Sequence, residues 1–394
     1  MRDTIKALTK QIRGVSYKPT DLRGKNLGIP LLRANNIEGD GLNFNNLVFV
    51  SSDKVNKDQF LRNGDIVICA SSGSKSLVGK SGVYHGPNDV YTFGAFCKVI
   101  RPIKPENQDY LGLFFQSPNY RALISEKAKG ANINNLKSDD LDSLSFKDYP
   151  TEIKRKIVQE LFSYLSCINS KKQELICLDS LVKSRFIEMF GDVLRNSKGF
   201  ETCCFGEYVN QMNIGPFGSD LKNDSFVPKE RAYCMVYEQK HAIEKTLNVP
   251  TRYVGEDKFK KLSRFEVGPG DIIVSCRGTV GECWMLPEGA PRGIIHPSLM
   301  MIKPKDSVNH GFLVFLLERV LSEQTQDGSG VKMAIQAKQL AKINVIKPSL
   351  DLQNLFMNFV SQVDKSEFVV RKQIKDLQEL LDSKMDEYFG GEEE

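Results

Sequence analysis

The chain has 394 residues, of which 41% are apolar and 26% are charged, with a net charge of +5 and a pI near 8.5. The length suggests two or three domains, each large enough for its own core, and the composition is ordinary for a soluble globular protein. No apolar run approaches the roughly 18 residues of a membrane span, and the first residues show no secretion signal.

Residues 1–149 read as one globular unit, in which short apolar runs alternate with turn signals. A helix is predicted over 108–127, and Asn63 with Gly64 supplies a turn before a buried strand. Strands are predicted at four apolar runs, 29–32, 47–50, 65–69 and 96–100. The pattern is typical of a mixed sheet with a few short helices.

From about Pro150 the apolar residues recur at spacings of three and four, with Lys and Glu between them. Pro150 suits a first helical turn and Gly191 a C-terminal stop, so one long helix is predicted over 150–191. The string Glu152-Ile153-Lys154 is the closest to a metal-nuclease motif. We interpret it as an ordinary helix start with an acidic residue at the N-terminus and a solvated lysine.

The second half of the chain repeats the first. This repetition predicts a second globular unit over 192–348, a second long helix over 349–390 and a short tail over 391–394. Three segments recur in the same order: Gly-Asp-Ile-Val-Ile-Cys at 64–69 as Gly-Asp-Ile-Ile-Val-Ser at 270–275, Arg101-Pro102 as Lys303-Pro304, and Phe190-Gly191 as Phe389-Gly390.

The two long helices are expected to cover each other. A helix of about 40 residues is about 60 Å long, and its apolar stripe must be buried against a partner. Because compact domains usually begin and end on nearby surfaces, the second helix is expected to run back along the first. The predicted fold class is therefore α+β, with two similar globular α/β units separated by two antiparallel helices in a coiled coil and related by a pseudo-twofold axis.

Two similar units held apart suit a target that repeats along a line, as B-DNA does every ~34 Å. Arg, Lys, Asn and Gln can read base edges, whereas Ser and Thr hold phosphates. Ordinary solvated surface is the alternative, but such residues follow the same strand in both units. The candidate DNA-binding residues are Lys18, Arg33, Asn35, Asn36, Ser72, Ser74, Lys75, Lys129 and Asn132 in the first unit, and Lys222, Gln239, Lys240, Arg277, Thr279 and Lys332 in the second.

Apolar residues that fall off the main stripe of the long helices are candidates for a second, partner-binding face. The alternatives are a structural spacer and a coiled coil for homodimerisation. These candidates are Leu165, Ile176, Ile187, Phe368 and Val369.

The segment Gly-Pro-Phe-Gly-Ser-Asp-Leu-Lys at 215–222, the two Gly-Asp-Ile strands and the two closing helices resemble the specificity (S) subunit of Type I restriction–modification enzymes. The resemblance covers essentially the whole chain. In the first unit, Gly14-Val15-Ser16-Tyr17-Lys18 stands in place of the Gly-Pro-Phe-Gly-Ser motif, which departs from the family pattern.

The resemblance implies that 1–149 and 192–348 are target-recognition domains and that each reads one half of a bipartite site in double-stranded DNA. It implies a non-catalytic subunit whose helices set the spacer and bind two methyltransferase (modification) subunits. S-adenosylmethionine would be bound by those partners, with no cofactor and no metal in this chain. A nuclease–translocase (restriction) subunit would join the assembly.

Two other functions are compatible with the sequence. One is the DNA-reading part of a fused restriction–methylation enzyme, and the other is a structural adaptor whose repeated units bind protein. The chain lacks the Asn/Asp-Pro-Pro-aromatic motif of amino-methyltransferases, a Gly-x-Gly-x-x-Gly fingerprint and a phosphate-binding loop. Nine cysteines without zinc or disulfide spacing are typical of a reducing compartment, so we expect a cytoplasmic protein.

Overall fold

The chain forms two compact units. Unit 1 comprises Met1–Glu174 and Val370–Glu394, and unit 2 comprises Leu175–Val369. Each long helix therefore contributes one part of its length to each unit, whereas the helices were predicted as segments separate from the globular units. The computed structural model describes residues 2–38, 41–74, 76–129, 135–277, 279–324 and 336–390.

Unit 1 begins with eleven described strands and four short helices, followed by the first long helix. In chain order they are β1 (Arg2–Thr4), α1 (Ile5–Leu8), β2 (Thr9–Arg13), β3 (Ile29–Leu32), β4 (Ile37–Glu38), β5 (Gly41–Leu42), β6 (Val48–Val50), β7 (Ile66–Cys69), β8 (Ser81–Val83), β9 (Thr92–Phe93), β10 (Cys97–Pro102), α2 (Gln108–Gln116), α3 (Pro118–Lys129), α4 (Ser138–Asp142), β11 (Ser145–Lys147) and α5 (Thr151–Phe190).

Unit 2 and the second long helix follow. Their elements are β12 (Thr202–Cys204), β13 (Val209–Ile214), β14 (Cys234–Tyr237), α6 (Gln239–Glu244), β15 (Arg252–Val254), α7 (Glu256–Leu262), β16 (Glu266–Val267), β17 (Ile272–Ser275), β18 (Cys283–Met285), β19 (Gly293–Ile295), β20 (Leu299–Pro304), α8 (His310–Gln324), α9 (Ala337–Leu340), β21 (Asn344–Ile346) and α10 (Leu350–Phe389).

The main sheets of the two units correspond strand by strand, apart from one additional strand in unit 2. An antiparallel sheet of order β2-β10-β7-β8 in unit 1 corresponds to β13-β20-β17-β18 in unit 2. The mixed three-stranded sheet β6-β3-β9 corresponds to the four-stranded sheet β15-β14-β19-β16, in which β14–β19 is parallel as β3–β9 is in unit 1. The pairs β1–β11 and β12–β21 correspond as well. The repeat seen in the sequence is thus a repeat of the fold.

Most of the predicted elements lie where the sequence placed them, but the helix predicted over 108–127 is wrong. It is two helices, α2 and α3, which meet at Ser117. Pro118 explains the break, because the residue before a proline is disfavoured in helical geometry and adopts an extended one. Ser117 has ψ of 151° and its hydroxyl donates to Phe114 O at 2.7 Å.

The turns before the two central strands have the same geometry. Gly64 and Gly270 adopt φ of +85° and +83°, values that favour glycine. The N–H of Gly64 donates to Tyr84 O and that of Gly270 to Leu286 O, both at 2.9 Å. The repeated Gly-Asp pair therefore marks one turn conformation, used twice.

An ion pair beside each turn joins the central strand to its neighbour. In unit 1 the Asp65 carboxylate is buried and contacts Arg101 on β10, with Nη2 to Oδ2 at 2.7 Å. In unit 2 the Lys303 Nζ lies 3.7 Å from Asp271 Oδ2, and both side chains are more exposed than those of the unit 1 pair. Burial raises the pKa of Asp271, because desolvation disfavours its charged form. The repeated Arg101-Pro102 and Lys303-Pro304 pairs thus have a structural role.

Replacing Arg101 by leucine is expected to lower the free energy of unfolding by about 3 kcal/mol, because it leaves the buried Asp65 carboxylate without its partner. Lys303→Leu is the matched control and is expected to cost about 1 kcal/mol or less, because its pair is longer and partly solvated. Urea unfolding of both variants measures the difference. Equal losses would contradict the assigned role of the Arg101 pair.

The long helices end at the predicted glycines and run antiparallel within each unit. In unit 1 the first part of α5 packs on the last part of α10, where the Tyr388 hydroxyl donates to Glu160 Oε2 at 2.6 Å. In unit 2 the last part of α5 packs on the first part of α10, with the rings of Phe190 and Phe356 5.6 Å apart. The antiparallel pairing of the sequence analysis is therefore confirmed in both units.

The start of α5 differs from the prediction in one respect. Ile153 is 43% exposed, whereas Lys154 is 6% exposed and faces the core. The Lys154 ammonium contacts Asp148 Oδ1 at 2.6 Å and donates to Asn107 Oδ1 at 2.9 Å. The expectation of a solvated lysine is therefore wrong, because two fixed oxygens compensate its burial. The corresponding place in α10 is held by Gln353, which is also buried.

Six of the nine cysteines are buried and all nine are free, in agreement with their expected role as small apolar side chains. Among the described residues, no helix is long and apolar enough to cross a membrane.

Candidate nucleic-acid interface

Unit 1 has a cleft of about 820 Å³ at one end of its sheets, which we call cleft 1. Four chain segments converge there: the loop after β2, the turn after β3, the loop after β7 and the turn before β10. Its lining residues are Val15, Ser16, Tyr17, Arg33, Ala34, Asn35, Ser71, Ser72, Gly73, Gly94, Ala95 and Phe96.

Cleft 1 depends on a close approach between two backbones. A Cβ atom at Gly14 would lie 2.1 Å from the carbonyl oxygen of Gly94, so no other residue fits there without a backbone shift. Hydrogen bonds join the same loops, from Val15 N to Phe93 O at 2.8 Å and from Ala95 N to Val15 O at 3.0 Å. These contacts fix the Gly14-Val15-Ser16-Tyr17 segment, whose sequence departs from the Gly-Pro-Phe-Gly-Ser motif.

The turn after β3 presents one predicted residue and buries another. Asn35 is exposed at the cleft, whereas Asn36 is only 1% exposed. The Asn36 side chain accepts from Arg33 N at 2.9 Å and donates to Asn45 O at 2.9 Å. Arg33 itself donates from Nη2 to Asn46 O at 3.1 Å. In this geometry Asn36 shapes the turn that carries Arg33 and Asn35, and its side chain does not reach the cleft.

The loop after β7 supplies hydroxyl groups. Ser72 lies at the cleft and its Oγ accepts from Ser74 N at 3.2 Å. Ser74 is exposed and its Oγ is 2.9 Å from that of Ser76. Lys18 is exposed on the loop after β2, outside the cleft lining. Four predicted DNA contacts fall outside the described residues, namely Lys75, Asn132, Lys332 and the side chain of Lys129.

Unit 2 has a cleft of about 440 Å³ at the corresponding end of its sheets, which we call cleft 2. A Cβ atom at Gly215 would lie 2.3 Å from the carbonyl oxygen of His296, which reproduces the Gly14–Gly94 approach. Gly215 N donates to Leu299 O at 2.8 Å. The lining residues are Asn213, Ile214, Gly215, Pro216, Phe217, Gly218, Arg264, Phe265 and Arg277.

The predicted residues after β17 lie in a loop that is held by hydrogen bonds from the side chains of Gln239 and Ser275. Arg277 is exposed and lines cleft 2. The Gln239 amide donates to the carbonyl oxygens of Arg277 and Thr279, and the Ser275 hydroxyl also donates to Thr279 O. Gln239 therefore positions Arg277 in this structure, because its amino group is already used within the protein.

The two other described lysines predicted in unit 2, Lys222 and Lys240, do not line cleft 2. Lys240 is 3.2 Å from the Glu238 carboxylate, which also pairs with Arg252. These cations hold the pKa of Glu238 low against the effect of its burial. Lys222 is exposed at the start of a short turn. We conclude that Lys240 belongs to a local ion-pair network.

Several cleft residues were not predicted from the sequence, among them Arg264 and Phe96. Arg264 lines cleft 2 from a short turn before β16, and its guanidinium lies 4.5 Å from the Phe265 ring. Phe96 lines cleft 1 and is 68% exposed. An exposed aromatic residue in a turn between two strands was the available signal, but the run 96–100 was interpreted as strand only.

The long helices carry exposed apolar side chains, as predicted for a partner-binding face. Ile176 and Ile187 on α5 are 57% and 51% exposed, and Phe368 and Val369 on α10 are 71% and 52% exposed. Leu165 is half-buried and packs against the core of unit 1. The described residues contain no group of three or more His, Cys, Asp or Glu side chains that could hold a metal ion.

Comparisons with known proteins agree with this architecture. The family model described as "Type I restriction modification DNA specificity domain" matches residues 240–379. The chain is 29% identical over 317 residues to the Type I restriction enzyme EcoKI specificity subunit of Escherichia coli (strain K12). It is 37% identical over 182 residues to the Type I restriction enzyme StySPI specificity subunit of Salmonella potsdam.

The first match covers 75% of this chain and 66% of that relative, and the second covers 45% and 39%. The chain thus spans just under two thirds of the first relative and well under half of the second. One similar solved structure comes from work on the complex assembly and conformational transition of the type I R-M system. It aligns with this chain with a TM-score of 0.62 at 15% identity, and the alignment covers 100% of this chain and 98% of that one. This likeness confirms the predicted α+β fold.

Proposed function

We propose that this chain, which belongs to the family of Type I restriction–modification specificity subunits, reads a bipartite sequence in double-stranded DNA. Unit 1 would read one half of the site through cleft 1, and unit 2 the other half through cleft 2. The DNA between the two halves would be spanned without being read.

One observation carries the proposal: the same scaffold builds two clefts and lines them with different side chains. Both clefts depend on a glycine packed against a backbone carbonyl, at Gly14 and at Gly215. Cleft 1 offers Arg33, Asn35 and Ser72, whereas cleft 2 offers Arg277. Arginine and amide side chains discriminate base edges in the major groove. Equivalent clefts with different linings fit two half-sites of different sequence.

The chain itself would be non-catalytic, and the chemistry would be supplied by partners. Methyltransferase subunits that bind S-adenosylmethionine would dock on the long helices, where Ile176, Ile187, Phe368 and Val369 leave apolar surface uncovered. We propose two such subunits, since the fold is repeated, together with a nuclease–translocase subunit where the system includes one. A cytoplasmic location would follow from this role.

The proposal is tested by co-expressing the chain with its methyltransferase and measuring DNA binding at several salt concentrations. We expect co-purification, together with binding that is sequence-specific and weakens steeply as salt rises, because phosphate contacts release counterions. Methylation of DNA by the chain alone would instead identify a fused-type enzyme. Absence of salt-sensitive DNA binding even with the methyltransferase present would indicate a protein-binding adaptor and contradict the proposal.

A further inference from the structure

Each cleft carries one phenylalanine whose ring is largely exposed on a fixed backbone. Phe96 is 68% exposed in cleft 1 and Phe217 is 76% exposed in cleft 2. The Phe96 carbonyl accepts hydrogen bonds from Ala70 N at 2.8 Å and Ser71 N at 3.0 Å. The Phe217 carbonyl accepts from Asp220 N at 2.9 Å. Both rings are therefore presented by well-anchored turns.

The two phenylalanines come from different places in the repeat. Phe96 lies between β9 and β10, and the same turn of unit 2 holds Ser298, whose carbonyl accepts from Cys276 N as Phe96 O accepts from Ala70 N. Phe217 is two residues beyond Gly215, and Ser16 is two residues beyond Gly14. Each cleft thus has one exposed phenylalanine, supplied by a different loop. Duplication of the fold alone does not account for an exposed phenylalanine in both clefts.

The chemistry of duplex DNA limits what these rings can contact. Burying an exposed phenylalanine is favourable only against an apolar surface. Base edges in the grooves are mostly polar, whereas base faces are apolar and stack well on aromatic rings. Proteins that distort DNA insert phenylalanine between base steps. Arg264 and Arg277 line cleft 2 and Arg33 lines cleft 1, so each ring shares its cleft with at least one arginine.

Resting on the proposed function, we infer that Phe96 and Phe217 are wedges that insert between neighbouring bases, each in the half-site read by its own unit. The wedge opens one base step in each half of the site. Such an opening reduces the remaining stacking that must be broken when a nearby base is taken out of the duplex for modification.

The experiment uses the complex of the full chain with its methyltransferase and duplexes that contain the recognised site. The fluorescent adenine analogue 2-aminopurine replaces single purines in each half in turn, except at the base that the complex methylates. A wedge is expected to raise the fluorescence severalfold at one step in each half. Phe217→Ser should remove the rise in one half only, and Phe96→Ser in the other half only. Leu27→Ser, at an exposed residue outside the cleft lining, should change neither.

Sequence-specific binding without any fluorescence rise, or a rise that persists in both serine variants, would overturn the wedge and leave the proposed function standing. If replacing a thymine by uracil weakens binding as much as Phe217→Ser does, with no rise in fluorescence, the ring contacts a thymine methyl group and the wedge is again refuted. Absence of sequence-specific binding by the wild-type complex would refute both inferences.

Discussion

Replacing Gly215 by alanine is expected to abolish readout of one half of the recognised site and to preserve readout of the other. The new Cβ atom would lie 2.3 Å from the oxygen and 2.8 Å from the carbon of the His296 carbonyl, so the loop that lines cleft 2 must move. A well-placed base contact contributes about 1–3 kcal/mol of discrimination. Losing two of them lowers specific affinity roughly 100-fold, since each 1.4 kcal/mol is a factor of ten.

The chain offers a matched control and a mirror variant for this result. A Cβ atom at Gly255, which lies in unit 2 outside the lining of cleft 2, meets nothing within 4 Å, so Gly255→Ala should bind DNA as the wild type does. Gly14→Ala should affect the opposite half of the site, with Gly24→Ala as its control, since Gly24 also has open space. Binding to duplexes with one half randomised, alongside thermal unfolding to verify folding, gives the answer. Loss of both halves in a folded Gly215→Ala variant would contradict separate readout.

Lengthening both long helices by seven residues is expected to lengthen the unread spacer and to leave both half-sites unchanged. The insertions belong after Glu174 and after Val369, where α5 and α10 each pass from one compact unit to the other. Seven residues add about 10 Å at 1.5 Å per residue and keep the apolar stripe on the same side of each helix. Since ten base pairs of B-DNA span about 34 Å, the spacer should grow by about three base pairs.

An insertion in α5 alone is the control for this experiment. It would shift the apolar residues of α5 against those of α10 and should lower stability without defining a new spacer. Mapping the methylated sequence in cells that carry each variant measures the spacer directly. A double insertion that folds and methylates with the original spacer would show that helix length does not set the distance between half-sites.

The repeat of the fold could be predicted from the sequence because its markers are local. Gly64 and Gly270 recur because each occupies a turn position that needs positive φ. Arg101 and Lys303 recur because each forms an ion pair with the Asp of the neighbouring strand, Asp65 or Asp271. The long helices could be predicted because forty residues of regular spacing outweigh any local irregularity. The break at Ser117 was missed because the apolar spacing continues across Pro118 even though the backbone does not.

The clefts were only partly predictable, because burial of a polar side chain is a tertiary property. Arg33, Asn35, Ser72 and Arg277 line the clefts, as a search for basic and amide residues in loops suggests. Asn36 has the same chemistry, but its side-chain amide already forms hydrogen bonds with the backbone of its own turn. Lys154 is buried and Ile153 is exposed, the reverse of the expectation, because oxygen atoms of Asp148 and Asn107 lie within reach of the ammonium. The sequence pattern around Lys154 does not reveal that such hydrogen-bond acceptors lie nearby in the folded chain.

The claim that two similar units read two half-sites is tested most directly by mapping methylated bases in cells that express the chain with its methyltransferase. The account predicts a motif of two defined, unlike halves separated by a spacer of fixed length and unrestricted sequence. A continuous motif without a spacer, or two halves whose separation varies from site to site, would contradict it.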